Sequence, residues 1–143
     1  MNQVAIVFWS GTGNTEMMAN CIADGVREAG GEAVLIAPGE FSAGRLDEFG
    51  AVAFGCPSMG VEQLEDGEFD PMFSEVEPSL SGRKIALFGS YGWGDGQWMR
   101  DWEERMKAAG AVLVGREGVI ANEAPDEDAL EQCRALGREL ASI

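Results

Sequence analysis

Histidine is absent from this 143-residue chain, and only 10 lysines and arginines stand against 25 acids, a net charge of −15. Scattered basic residues cannot neutralise a nucleic-acid backbone or hold the chain on an anionic membrane, so neither is expected as a partner. Cysteine is scarce as well. Cys21, Cys56 and Cys133 are odd in number, widely spaced and form no C-x-x-C. That excludes a disulfide framework and a zinc site, leaves no metal site expected, and fits a reducing compartment. No apolar run approaches the length of a membrane span, and the opening MNQVAIVFWSG has no basic leader region, so the expected location is cytoplasmic. Repeats, linkers and low-complexity tracts are missing too. The expectation is one domain, 1–143, large enough to bury roughly 68–70% of its unfolded surface.

What is present alternates. Apolar, β-rich runs recur at 4–8 (VAIVF), 33–37 (AVLIA), 51–56 (AVAFGC), 84–89 (KIALFG) and 111–121 (AVLVGREGVIA). Several are continuous rather than alternating, as expected of strands covered on both faces. Between them lie helical patterns at 14–29, 96–109 and 126–141, with a further one within 65–77 and a single turn near 42–49. Gly30-Gly31 and Ala109-Gly110 stop the first two, and APDED at 124–128 starts the last. Alternating β and α predicts an α/β doubly wound parallel sheet of five strands with helices on both faces. Ligands of such sheets sit beyond the carboxyl ends of the strands, so the informative stretches are 9–15, 56–62 and 89–96.

The first of these, WSGTGNTE, leads from a strand into a helix through two glycines and four small polar residues, Ser10, Thr12, Asn14 and Thr15. Such a loop turns its N–H groups inward at a helix N-terminus and makes an anion nest, with phosphate the expected anion. Yet no lysine or arginine occurs before Arg27, so N–H and O–H groups alone must hold the charge. In the second, CPSMGVEQLED, Met59-Gly60-Val61-Glu62 reads as a tight turn with Gly60 at the first central position of a type II′ turn. The third, GSYGWGDGQW, sets Gly89, Gly92, Gly94 and Gly96 around Tyr91 and Trp93, allowing close backbone approach beside flat apolar rings. A phosphate at one end and a planar group at the other describe a nucleotide-like ligand.

Each feature also has a purely structural reading. Trp98 and Trp102, one helical turn apart and followed by Met106, read as core between helix and sheet; Trp9, at a strand end, reads as core rather than pocket wall. Cys21 and Cys133 fall on apolar helical faces and read as buried small hydrophobes. Cys56 reads as structural despite its place near the loops. The acidic run Glu62, Glu65, Asp66, Glu68, Asp70, Glu75 and Glu77 reads as a solvated face. Among functional rivals, a receiver domain wants an acidic pair after the first strand, where Ser10 stands. A phosphatase built on Cys56 needs an arginine within 57–66, which is absent, and a P-loop NTPase needs G-K-[ST].

Taken together, SGTGNTE after the first strand, C-P-S-M-G-x-E-x-L-E after the third, GSYGWGDGQWMRDWEERM after the fourth and NEAPDED before the last helix resemble the short-chain, clostridial-type flavodoxins over essentially the whole chain. The resemblance implies the strand order 2-1-3-4-5, with FMN at the switch point; flavodoxin is itself a worked example of that rule. It implies a low-potential one-electron carrier, cycling FMN between semiquinone and hydroquinone, with no catalytic residues of its own. Ser10, Thr12, Asn14, Thr15 and the N–H groups around Gly11 and Gly13 are then expected to hold the phosphate. Met59 and Trp93 flank the ring, with Ser58 and Gly60 beside them. Glu62 accepts from the flavin N3–H, backbone groups of Tyr91, Gly92, Trp93 and Gly94 meet the pyrimidine edge, and Ser90 lies nearby. The missing cation in the first loop belongs to this pattern. Gly60 is implied to flip its peptide on reduction, and Pro57 and Val61 depart from the usual residues. Partner proteins with basic docking surfaces and a monomeric state are expected. A small FMN-dependent NAD(P)H or quinone reductase is the enzyme alternative, disfavoured because no segment is left for a nicotinamide nucleotide.

Overall fold

The structure, a computed structural model, describes residues 3–59, 62–92, 94–115 and 117–143. Strand β1 (Gln3–Phe8) leads into helix α1 (Asn14–Glu28) and strand β2 (Glu32–Ile36), and two short 3-10 segments bridge to β3 (Ala51–Gly55). Helix α2 (Phe69–Val76), strand β4 (Lys84–Tyr91), helix α3 (Gln97–Ala108), strands β5 (Val112–Leu113) and β6 (Val119–Asn122) and helix α4 (Glu127–Ala141) complete it. All strands pair in parallel in the order β2-β1-β3-β4-β5, with β6 also on β4. The predicted fifth strand is thus two pieces on one neighbour. Between them Gly115 takes φ 89°, and Gly118 lies so close to the Met99 side chain that a Cβ has no room.

The period of two along each strand sorts the core into two layers. From β1, Val4 and Ile6 face α1 and α4, while Ala5 and Val7 face α2 and α3. The second layer holds Phe54, Phe69, Phe73, Trp98, Trp102 and Met106, all buried. Edge-to-face ring pairs tie α2 to the sheet through Phe54 and Phe73 and α2 to α3 through Phe69 and Trp102. On the other face α1 and α4 cross where Gly25 meets the Arg134 carbonyl and Gly137 the Ile22 carbonyl, too close for a Cβ at either glycine.

Helix ends follow their local signals. At α1, Gly31 N–H reaches Val26 O and Gly30 N–H reaches Arg27 O, the paired bonds of a Schellman cap, and Gly110 and Ala111 repeat the arrangement at α3. Asp126 caps α4 by accepting from the Ala129 N–H at 2.9 Å. The segment read as helical within 65–77 is helical over 69–76, and the turn near 42–49 is a 3-10 segment, Ala43–Glu48.

Candidate functional site

Three loops leave the sheet almost in register. Phe8 pairs with Gly55, which pairs with Phe88. Beyond the strands, Trp9 N–H bonds to Gly55 O and Ser58 N–H to Ser90 O, both at 3.0 Å. The loops therefore surround one volume at the carboxyl end of the sheet. That volume is a cavity of about 370 Å³. Trp9, Gly11, Thr12 and Asn14 line it from the first loop, Pro57, Ser58 and Met59 from the second, and Ser90, Tyr91 and Gly92 from the third, with Glu123 closing one side.

The first loop gathers hydrogen-bond donors at a helix start with no cation beside them. Helix α1 begins behind Gly13, whose φ of 96° suits glycine and which has no side chain to cap the helix. Ser10 caps it instead, its Oγ accepting from the N–H groups of Gly13 and Glu16, each at 3.2 Å. One acceptor thus satisfies the loop and the third helical amide while the hydroxyl proton stays free to donate. The N–H groups of Gly11, Thr12, Asn14 and Thr15 have no acceptor among the described residues. Four such donors at the positive end of a 15-residue helix make an anion site. Of Thr15, only the backbone N–H is open. Its side chain is buried, with Oγ1 3.1 Å from Ser90 Oγ and accepting from Ser90 N–H, so it bolts the first loop to the third.

In the second loop Met59 and Gln63 exchange both backbone bonds, at 2.7 and 2.9 Å, and Met59 keeps 37% of its surface exposed. Gly60 and Trp93 lie outside the described residues. Glu62 sits at φ 48°, and its Oε1 accepts from Gln97 N–H at 2.8 Å, against Gly94. Neither Glu62 nor Gly94 lines the cavity; Glu62 faces the start of α3 instead. Tyr91 O accepts from Glu123 N–H and Asn122 Nδ2, and its ring lies against Trp98 with centroids 5.4 Å apart.

Trp9 is a cavity wall as well as a core contact: its ring packs against Gly11, and its indole N–H donates to Glu68 at 3.0 Å. Reading it as core alone missed half its role, because a strand end faces core and loop at once. Glu123 was also missed. Its signal is tertiary, since only the β4–β6 pairing sets Asn122 opposite Tyr91 and so brings Glu123 to the cavity, where it takes φ 57°.

The acidic run is more than a solvated face. Glu65 accepts from the N–H groups of Gly67, Glu68 and Phe69 at 2.7 to 2.8 Å, capping α2. Desolvation works against its charge, yet the three amides outweigh it and hold the carboxyl below its ordinary range. Asp70 and Glu77 grip Arg105, each at 2.9 Å. Cys56 is fully buried, and desolvation pushes its thiol up to about 12, so it is no nucleophile. Cys133 is buried as expected, whereas Cys21 is only half-buried, 3.7 Å from an Arg134 nitrogen. Among the described residues no group of three or more Cys, His, Asp or Glu is placed to hold a metal, and no helix is long and apolar enough to cross a membrane.

A parallel sheet of order 2-1-3-4-5 with a cluster of open N–H donors and a largely apolar cavity at its switch point defines a nucleotide-binding, doubly wound protein of the flavodoxin-like kind. The sequence model described as Flavodoxin matches residues 6–137. The flavodoxin of Clostridium beijerinckii is 47% identical over 138 residues, 96% of this chain and 99% of that one. That of Megasphaera elsdenii is 42% identical, over 96% of this chain and 98% of its own. The solution structure of the two-electron reduced Megasphaera elsdenii flavodoxin superimposes with a TM-score of 0.90, at 41% identity, over 98% of this chain and 99% of that one. The chain belongs to the flavodoxin family. It is accordingly an electron-transfer protein with FMN as its cofactor, not an enzyme with a substrate of its own.

Proposed function

We propose that this chain carries single electrons at low potential between redox proteins, on an FMN seated in the cavity of Trp9, Met59 and Tyr91. The observation that carries the reading is the set of acceptor-free N–H groups of Gly11, Thr12 and Asn14 on residues that line the cavity, with that of Thr15 beside them at the helix start. They fit a phosphate, supplemented by the side chains of Thr12 and Asn14 and the free proton of Ser10. A volume of about 370 Å³ with a largely apolar wall fits a planar ring bearing a few polar edges. Met59 covers one face of the ring; Trp93 is assigned the other from the family resemblance. The backbone of Tyr91 and Gly92, with Ser58 and Ser90 behind it, meets the polar edge, and Glu62 and Gly94 stand at its margin. Gly60 is assigned the peptide flip on the same ground.

Bound there, the flavin would supply reversible one-electron chemistry at low potential. The residues around it supply binding, exclusion of water and an electrostatic bias against added negative charge. Asp66 and Glu123 are exposed acids on this end of the fold, which opposes full reduction and suits partners with basic docking surfaces. The partners act on a monomer in the cytoplasm. Two measurements test this reading. FMN added to the flavin-free protein should bind stoichiometrically, and anaerobic reduction should pass through a spectrally distinct one-electron stage. Reduction in a single two-electron step, together with NAD(P)H oxidation by the protein alone, would establish the reductase alternative instead.

A further inference from the structure

Glu62 combines three observations that the binding of a flavin does not by itself require. Its backbone lies in the left-handed region at φ 48°, uncommon for a residue with a long side chain. Its Oε1 accepts from Gln97 N–H at 2.8 Å, the first amide of α3. Helix α3 has no cap of its own, because its N-cap residue is Gly96 and no side-chain bond is made there. The carboxylate also fills a hollow at Gly94: a Cβ on that residue, at φ 87°, would stand 2.6 Å from Glu62 Cδ and 2.8 and 2.9 Å from its two oxygens. Two loops and a helix therefore meet on one carboxylate.

We infer that Glu62 is a latch fastening the segment closed by Met59 and Gln63 to the N-terminus of α3, and that Gly94 is its positioning residue. The hollow at Gly94 sets where the carboxylate lies. Gln97 N–H takes Oε1, and Oε2, with no donor among the described residues, is the oxygen left for a ligand at the cavity margin. This last step rests on the reading that Glu62 meets the flavin edge. The latch explains why a strained backbone persists at residue 62: the helix end holds it there. It also ties the geometry of the second loop to that of the third, so that the flavin edge meets a carboxylate already aimed.

The test uses the full chain loaded with FMN, as wild type, Gly94→Ala, Glu62→Ala and the double variant. Exchange of the Gln97 amide reports on the latch, and flavin fluorescence released on dilution reports affinity. Each single variant should speed Gln97 exchange at least tenfold, and the double variant no further. Gly94→Ala should weaken FMN about tenfold when Glu62 is present and less than twofold in the Glu62→Ala background. The backbone strain of alanine at residue 94 is common to both backgrounds and cancels in the cycle. Unchanged Gln97 exchange in Glu62→Ala, or equal weakening of FMN by Gly94→Ala in both backgrounds, would overturn the inference. Faster Gln97 exchange in both single variants, with FMN affinity within twofold of wild type in Glu62→Ala, would support the latch while removing Glu62 from the flavin edge.

Discussion

Ser10→Ala separates the two roles of the first loop. In the protein, Ser10 Oγ accepts from two amides at 3.2 Å, replacing the cap that Gly13 cannot provide. Two long, partly exposed hydrogen bonds fall at the low end of ~0.5–1.5 kcal/mol each, and a lost helix cap costs ~0.5–2 kcal/mol, so ~1–2 kcal/mol is expected. An unfolding entropy of ~2.1 cal/mol/K per residue gives ~300 cal/mol/K for 143 residues, or about 3 °C per kcal/mol. The flavin-free variant should therefore melt about 3–6 °C lower by circular dichroism. The hydroxyl proton adds a second effect: a charge-assisted bond to the phosphate, taken at ~1.4 kcal/mol because the site is open, corresponds to a tenfold loss of affinity. At fixed excess FMN the loaded variant should then lose ~2.4–3.4 kcal/mol in all, a fall of about 8–11 °C. A flavin-free melting point within 1 °C of wild type would refute the capping role. Equal falls with and without FMN would remove Ser10 from the phosphate.

Other consequences follow from single contacts. Thr15→Val deletes a buried hydroxyl and leaves the Ser90 N–H without its acceptor, so urea unfolding should show a loss of ~1–3 kcal/mol; a loss below ~0.5 kcal/mol would mean that the bolt between the two loops is not a stabilising one. Glu65 titrates lower folded than unfolded. Its stabilisation is therefore present above ~4.3, the ordinary glutamate value, and is lost as pH falls through the folded value. Glu65→Gln should cost ~0.5–2 kcal/mol at pH 7, and the gap from wild type should close in acid; a gap independent of pH would contradict the assignment. With its thiol near 12, Cys56 is ionised to only roughly 10⁻⁴ at pH 8, so mass spectrometry should find iodoacetamide on half-exposed Cys21 long before Cys56. Equal labelling of the native protein would show that the second loop opens. Glu123→Gln removes a charge which, at ~10 Å and an effective dielectric of ~40–80, opposes the second electron by ~0.4–0.8 kcal/mol. Redox titration should place that potential ~20–35 mV higher, and no shift would exclude Glu123 from the electrostatic bias.

The parallel sheet, the helix ends and the place of the site were legible in the sequence because each is written locally. Continuous apolar runs mark strands covered on both faces, glycines just past α1 and α3 end them in left-handed caps, and Asp126 caps α4 from within its own turn. The donor-rich first loop was legible for the same reason, since a cation-free run of glycines and hydroxyls before a helix leaves N–H groups open at the helix start. Side-chain assignments within that loop were less so. Ser10 caps its own helix and Thr15 turns inward to Ser90, a partner 75 residues away. Nothing local distinguishes a threonine facing a ligand from one facing a neighbouring strand.

The acids show the same division most plainly. In the sequence, Glu62, Glu65 and Glu68 are members of one charged run. In the fold the first caps α3, the second caps α2 and the third anchors the indole of Trp9. Composition and spacing determined that this chain is a doubly wound, acidic protein with an anion nest free of basic residues, because hydrophobic period, turn chemistry and charge are properties of short stretches. Only the tertiary structure decided which carboxylate meets which helix end, that Trp9 walls the cavity and that Glu123 closes it. Those depend on strands and helices distant in the chain arriving side by side, and hydrogen bonds a few ångströms long cannot be chosen before that.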